Sequence, residues 1–130
     1  MLFRSLGNLT KLTTLMLLMN KLSGPIPFEM NNLTHLKILD ISNNQLTGHL
    51  LENVCIGGLL DHFIACNNLF IGSIPKSLRN CTSLIRVRLD GNQLSGNIGE
   101  SFGIYPSLVY MDLSYNKRSE ERRVGKECSS

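Results

Sequence analysis

Leu84-Ile85-Arg86-Val87-Arg88-Leu89-Asp90-Gly91-Asn92-Gln93-Leu94-Ser95-Gly96 is the stretch on which the reading of this chain turns. Its regular apolar positions are Leu84, Val87, Leu89 and Leu94; Asn92 stands between the last two, and a glycine closes the stretch. Residues two apart in an extended segment share a side. Val87 and Leu89 therefore face a core, while Arg86, Arg88 and Asp90 face out. An asparagine among leucines can satisfy backbone groups that a bending chain leaves unpaired, which a leucine cannot do. The glycine four residues later suits a tight turn.

The same spacing recurs with one period. Asn20, Asn44, Asn68, Asn92 and Asn116 are each 24 residues apart, as are Gly24, Gly48, Gly72 and Gly96, and Leu12, Leu36, Leu60, Leu84 and Leu108. Unit one reads Leu12, Leu15, Leu17, Asn20, Leu22; unit two reads Leu36, Leu39, Ile41, Asn44, Leu46. Unit three is looser, with Leu60, Phe63, Ala65, Asn68 and Phe70, and unit five stops after Leu108, Met111, Leu113 and Asn116. One such coil cannot bury its own leucines, whereas stacked coils bury them against each other and pair their strands in parallel. The expected architecture is an α/β repeat solenoid over residues 1–117, about five repeats long. Residues 1–11 match the second half of a repeat, so the solenoid is expected to be truncated at both ends and to lack caps.

After each glycine comes a second signature: Gly24-Pro25-Ile26-Pro27, Gly72-Ser73-Ile74-Pro75 and the weaker Gly96-Asn97-Ile98-Gly99. In a 24-residue repeat this element resembles the plant-specific class of leucine-rich repeats, found in receptor-like kinases, receptor-like proteins and polygalacturonase inhibitors. The blocks Asn53 to Leu60 and Asn80 to Leu89, with Gly91 to Ile98, look like the ectodomains of plant leucine-rich-repeat receptor-like kinases. The resemblance implies a curved right-handed superhelix with a concave parallel sheet and short 3-10 or irregular convex segments. It implies a second short strand per unit, expected to be lost in unit two, where His49-Leu50-Leu51 departs from the pattern. It further implies an extracellular peptide or protein ligand, a co-receptor kinase, no cofactor, and a plasma-membrane parent with a signal peptide, a membrane span and a serine/threonine kinase. The chain as written carries no signal-peptide or membrane-spanning pattern. A secreted enzyme inhibitor, a receptor-like protein without a kinase and an intracellular interaction scaffold are the alternatives.

Outward strand positions line up in columns across neighbouring coils. One column holds Thr14, Ile38, His62, Arg86 and Tyr110; the next holds Met16, Asp40, Ile64, Arg88 and Asp112; the third holds Leu18, Ser42, Cys66, Asp90 and Ser114. Adjacent strands about 4.8 Å apart would make these columns a continuous concave surface. His62, Ile64, Arg86, Arg88, Asp90, Tyr110 and Asp112 are its candidate ligand contacts. Arg86 and Arg88, two apart, present both guanidinium groups on one face, suited to a carboxylate or sulfate. The pair resembles the element that some plant peptide receptors use for a ligand's free C-terminus. Asp112 on the next strand and Asp90 two residues on are competing partners for Arg88.

Cys55 and Cys81 are one repeat plus two residues apart, on the back of adjacent coils. A disulfide is one reading; Cys81 packing in the column of Leu9 and Leu33 is the other. Cys66 reads as a small strand residue. Asn8-Leu9-Thr10, Asn32-Leu33-Thr34 and Asn80-Cys81-Thr82 are N-glycosylation sequons in one phase on the convex side, and N-L-T is equally part of the repeat consensus.

Catalytic patterns are not found. His35, His49 and His62 fall at three different phases, and the cysteine spacings match neither a zinc site nor a redox pair, so no metal site is expected. No glycine-rich phosphate loop follows a strand, and no kinase motif occurs. The net charge of +3 is too small to indicate nucleic acid, and basic residues crowd Lys117 to Lys126. Residues 118–130 form a non-repeat charged tail, read either as disordered or as artefact. Arg118 to Cys128 resembles what one frame of a widely used short-read sequencing adapter encodes; on that reading Cys128 and the basic tail carry no biology.

Overall fold

A computed structural model of the chain describes residues 9–96 and 102–116. Nine short strands follow one another: β1 (Thr14–Met16), β2 (Ser23–Pro25), β3 (Ile38–Asp40), β4 (Gln45–Thr47), β5 (His62–Ile64), β6 (Ile71–Gly72), β7 (Arg86–Arg88), β8 (Gln93–Leu94) and β9 (Tyr110–Asp112). One strand per unit joins a five-stranded parallel sheet in the order β1-β3-β5-β7-β9. Its register repeats at the sequence period, with Leu15 beside Leu39, Leu39 beside Phe63, Phe63 beside Val87 and Val87 beside Met111.

These central residues point inward and are buried, as are the flanking columns Leu36, Leu60 and Leu84, Ile41, Ala65 and Leu89, and Leu46, Phe70 and Leu94. Unit three sets large Phe63 and Phe70 around small Ala65, and all three are fully enclosed in the same core. Trading size between neighbours in this way lets a coil keep its volume while departing from leucine.

The asparagine ladder holds the bend after each concave strand. Asn68 Nδ2 donates to the carbonyls of Ile41, Ala65 and Cys66, and its Oδ1 accepts the Leu46 amide. Asn92 does the same for Ala65, Leu89, Asp90 and the Phe70 amide. Asn44 and Asn116 repeat the arrangement, Asn44 Oδ1 accepting both the Asn20 and Leu22 amides. Asn20 itself is exposed, and among the described residues its side chain reaches only the Leu18 carbonyl. Each of these four amide side chains, Asn44, Asn68, Asn92 and Asn116, thus ties its own unit to the preceding one.

The residue before each ladder asparagine adopts a left-handed backbone. Met19, Asn43, Asn67 and Tyr115 have φ of 57–58°, and Gly91 has 70°. Asparagine and glycine tolerate this region, whereas a methionine or tyrosine is strained there.

A second set of strands runs along the side of the coil. β2 pairs with β4, and β6 with β8, each two residues short of the main period, as in Ser23 beside Gln45. The expected loss of this strand in unit two is corrected: unit two supplies β4 toward unit one and keeps a single bridge, His49 to Ile71, toward unit three. The backbone groups of residues 45–49 can pair whatever the side chains of His49-Leu50-Leu51, so departure from the motif leaves a three-residue strand in place, as long as β2. Gly72, at φ +83°, lies against the His49 ring so closely that a Cβ would meet its Nδ1.

On the outer side, Pro27 and Pro75 precede two 3-10 helices, Phe28–Asn32 and Lys76–Asn80. Unit two has Leu51 at that position and forms turns through residues 52–57 instead. Among the described residues no helix is long and apolar enough to cross a membrane.

Candidate functional site

The concave columns stand in register on the sheet: Thr14, Ile38, His62, Arg86 and Tyr110 in one row, Met16, Asp40, Ile64, Arg88 and Asp112 in the next. A groove of about 500 Å³ runs over the first four units of this face. Met16, Leu18, Met19 and Ile38 line its beginning; Asp40, Ser42, Asn43, His62 and Ile64 its middle; Arg86 and Arg88 its far end. Met16 and Met19 are 55% and 67% exposed. Unbranched, polarizable side chains left open in this way suit contact with varied apolar partners.

Four of the candidate contacts, His62, Ile64, Arg86 and Arg88, therefore share one groove. Asp90, Tyr110 and Asp112 do not line it, and the two aspartates are not displayed for a ligand. Asp90 and Asp112 are 7% and 4% exposed and are consumed by bonds within the sheet face. Alternation of side chains gives the direction a residue points, not the depth at which its neighbours cover it.

Arg88 takes Asp90, not Asp112. Its Nε donates to Asp90 Oδ1 at 3.2 Å and its Nη2 to Oδ2 at 2.8 Å, a forked pairing. The Asp90 hydrogen bond raises the Arg88 pKa still further above its ordinary high value. Asp112 instead accepts from the Ser114 amide and hydroxyl and from Tyr110. Arg86 has no ion pair among the described residues, and its guanidinium lies 4.6 Å from the centre of the Tyr110 ring. Of the two arginines, Arg86 is the one whose charge is not neutralised within the sheet.

A repeated hook that the sequence reading missed explains these bonds. Asp40 Oδ1 accepts the Ser42 amide and hydroxyl, and Asp112 Oδ1 accepts those of Ser114. Unit four reverses the polarity, with Arg88 where the others carry Asp and Asp90 where they carry Ser. The signal was present as Asp40-Ile41-Ser42 and Asp112-Leu113-Ser114, three periods apart. Unit three fills the same places with Ile64 and Cys66. Cys66 is buried, and burial, then Asp90, pushes its thiol pKa up, which keeps it protonated and unreactive.

His62 Nδ1 is 2.6 Å from Asp61 Oδ1, which orients the ring within the groove. His35 Nδ1 is bonded to the Thr10 carbonyl on the outer side, and His49 packs over Gly72. No group of three His, Cys, Asp or Glu among the described residues is placed to hold a metal.

Cys55 and Cys81 form a disulfide with a Cα–Cα distance of 6.0 Å, joining the outer turns of units two and three. Cys81 is also fully buried in the core. Asn32 and Asn80 are exposed on the same side. Asn8, Ile98 and the tail 118–130 lie outside the described residues.

A sequence model of the leucine-rich repeat matches residues 35–55. No curated protein sequence matches the chain. Among solved structures, the chain is similar to a TDR receptor at 36% identity, covering 88% of this chain and 20% of that one, with a TM-score of 0.79. It is similar to the ectodomain of the Arabidopsis receptor kinase HAESA in complex with an N-terminally extended IDA peptide hormone, at 35% identity over 88% of this chain and 19% of that one, with a TM-score of 0.83. PEPR1 in complex with AtPEP1 matches at 28% identity over 88% of this chain and 16% of that one, with a TM-score of 0.78. The chain spans about one fifth of the length of the TDR and HAESA chains.

Proposed function

We propose that this chain, a leucine-rich-repeat solenoid like those of plant receptor-kinase ectodomains, forms part of the extracellular recognition surface of such a receptor. Its concave sheet takes an extended peptide or a protein loop lying across the strands. The observation that carries this reading is the groove itself, which passes from exposed Met16 on β1 and Met19 just after it to two arginines on β7. Apolar ligand side chains are covered at Met16, Leu18, Ile38 and Ile64, where their burial supplies the affinity. An acidic ligand group, such as a free C-terminus, meets Arg86, whose stacking on Tyr110 fixes the guanidinium plane. Five hydrogen-bonded strands present these groups already in place, so little order is lost on binding.

The residues bind and orient; no bond-making step is assigned to them, and the reading is of a binding scaffold rather than an enzyme. In this reading the parent spans the plasma membrane, carries its kinase on the other side, and pairs with a co-receptor. HAESA has been crystallised with both IDA and the co-receptor SERK1, which supports that arrangement.

The test is to pan a random peptide library with free C-termini on the immobilised chain, then measure the selected peptides against Ile64→Arg and Arg86→Ala. Apolar peptides with an acidic end are expected, losing at least about tenfold in affinity to either variant. Selected peptides that bind both variants as tightly as the unaltered chain would place recognition off this groove.

A further inference from the structure

The outer side contains one turn built twice. Asn32-Leu33-Thr34 follows the 3-10 helix Phe28–Asn32, and Asn80-Cys81-Thr82 follows Lys76–Asn80. Leu33 and Cys81 share φ −84° and ψ 71°, and in each case the threonine amide donates to the asparagine carbonyl at 2.9 Å. Both asparagines and both threonines are exposed, while the central residue is buried. The two sequons therefore agree in phase, backbone and exposure.

They differ in what holds them to a neighbouring coil. The first turn is held without a covalent bond: the Asn53 amide donates to Asn31 Oδ1 at 3.0 Å, and Gly57 backs onto the Thr34 carbonyl with no room for a Cβ. The second turn has non-covalent contacts of this kind beside it, Gly103 backing onto the Arg79 carbonyl and the Tyr105 hydroxyl donating to the Leu78 carbonyl, and it alone is also fastened to the preceding coil, through its own central residue, by the Cys55–Cys81 bond.

We propose that Asn32 and Asn80 are N-glycosylation sites, and that occupancy of Asn80 alone is set by a race against closure of the Cys55–Cys81 disulfide. The proposal rests on the extracellular reading above, because both reactions belong to the secretory route. In glycosylation, the asparagine Nδ2 displaces lipid pyrophosphate from the anomeric carbon of a lipid-linked oligosaccharide. A C–N bond forms, the C–O bond to phosphate breaks, and Nδ2 gives up one proton. In disulfide closure, the Cys55 and Cys81 thiols lose two protons and two electrons to a protein disulfide oxidant, which becomes a dithiol.

Transfer requires the Asn-x-Thr tripeptide to leave its turn and enter another protein's active site. A turn held by hydrogen bonds is released each time the coil opens, and outer turns open more readily than the core. A turn fastened at its central residue stays closed until the bond is reduced. The reverse order carries no conflict, because the exposed Asn80 side chain accommodates a glycan after the bond has formed.

The full chain, expressed behind a secretory leader in plant cells, tests this by glycopeptide mass spectrometry on total cell material, so that retained misfolded chains are counted. Asn32 is expected to be occupied throughout. Asn80 is expected to be partly occupied, and to rise at least about twofold in Cys55→Ser, which leaves the sequon intact, and in the unaltered chain during a brief dithiothreitol pulse. Unchanged Asn80 occupancy with Asn32 occupied overturns the race but leaves the extracellular reading standing. An equal rise at Asn32 also overturns it, because slow folding rather than the bond would then govern transfer. Bare asparagines at both positions overturn this inference, and they leave the extracellular reading to the peptide-binding test above, because the added leader sets the route in this experiment.

Discussion

On the concave side, the five strands keep one register from Thr14 to Asp112 while their outward residues change freely among Thr, Ile, His, Arg and Tyr. The outer side behaves in the opposite way: its residues change, and its backbone changes with them. Pro27 and Pro75 lead into 3-10 helices, Leu51 leads into a run of turns, and two coils are fastened by Cys55 and Cys81. The difference lies in what fixes each backbone. Concave strands are set by main-chain pairing and by the buried asparagines, neither of which involves the outward side chains. The outer segments have no such ladder and take whatever turn their own residues favour. A surface meant to vary in recognition is thus carried on the part of the coil least disturbed by variation.

The largest expected effect is on the ladder. Asn92→Ala would leave the Phe70 amide and the carbonyls of Ala65, Leu89 and Asp90 without this partner, at a cost of about 4 kcal/mol. Hydrogen exchange should show the loss in units three and four first, since stability in stacked repeats is a nearest-neighbour property. A change below about 1 kcal/mol would mean that the ladder does not set the concave register.

Reducing the Cys55–Cys81 bond comes next, at about 3 kcal/mol for a loop of this length. Exchange should accelerate at the outer turns of units two and three while β5 and β7 keep their protection. Loss of the concave sheet in step with the turns would show that the two sides are not separable.

Met19→Asn should stabilise by about 1 kcal/mol, because it puts a residue tolerant of the left-handed backbone where units two and three already have one. A thermal melt reads the gain; no gain would mean that methionine packing offsets the strain.

The smallest stability effect, under about 1 kcal/mol, is expected for Asp90→Ser, since Arg88 remains about a third exposed. The variant installs the residue that units two and five carry, and it frees the Arg88 guanidinium. Peptides with a free C-terminus should then bind more tightly than before, and C-terminally amidated ones should not. Equal behaviour of the two peptide forms would remove Arg88 from the acid-binding end of the groove.

The sequence made most of the concave side legible. Periodic leucines and asparagines gave the inward set, and counting by 24 placed His62 beside Arg86 and Ile64 beside Arg88, as the sheet has them. It did not show that Asp90 and Asp112 are buried beneath their neighbours, because covering depends on neighbouring side chains and not on alternation. The Asp-x-Ser hook was written in the chain but needed the bond geometry to give it meaning. The outer strand of unit two was underestimated, since its pairing belongs to the backbone of residues 45–49 and not to the motif that marks it elsewhere.

What the sequence determined by itself is everything that depends on translation by one coil. Parallel strands hydrogen-bond at a fixed spacing of about 4.8 Å, so a period of 24 residues converts directly into position on a face. Only the tertiary structure decided the choices made between side chains within reach of several partners: Arg88 taking Asp90 over Asp112, Arg86 stacking on Tyr110, and Cys81 both packing in the core and closing on Cys55. Those choices depend on distances and angles across neighbouring coils, which residue spacing alone does not specify.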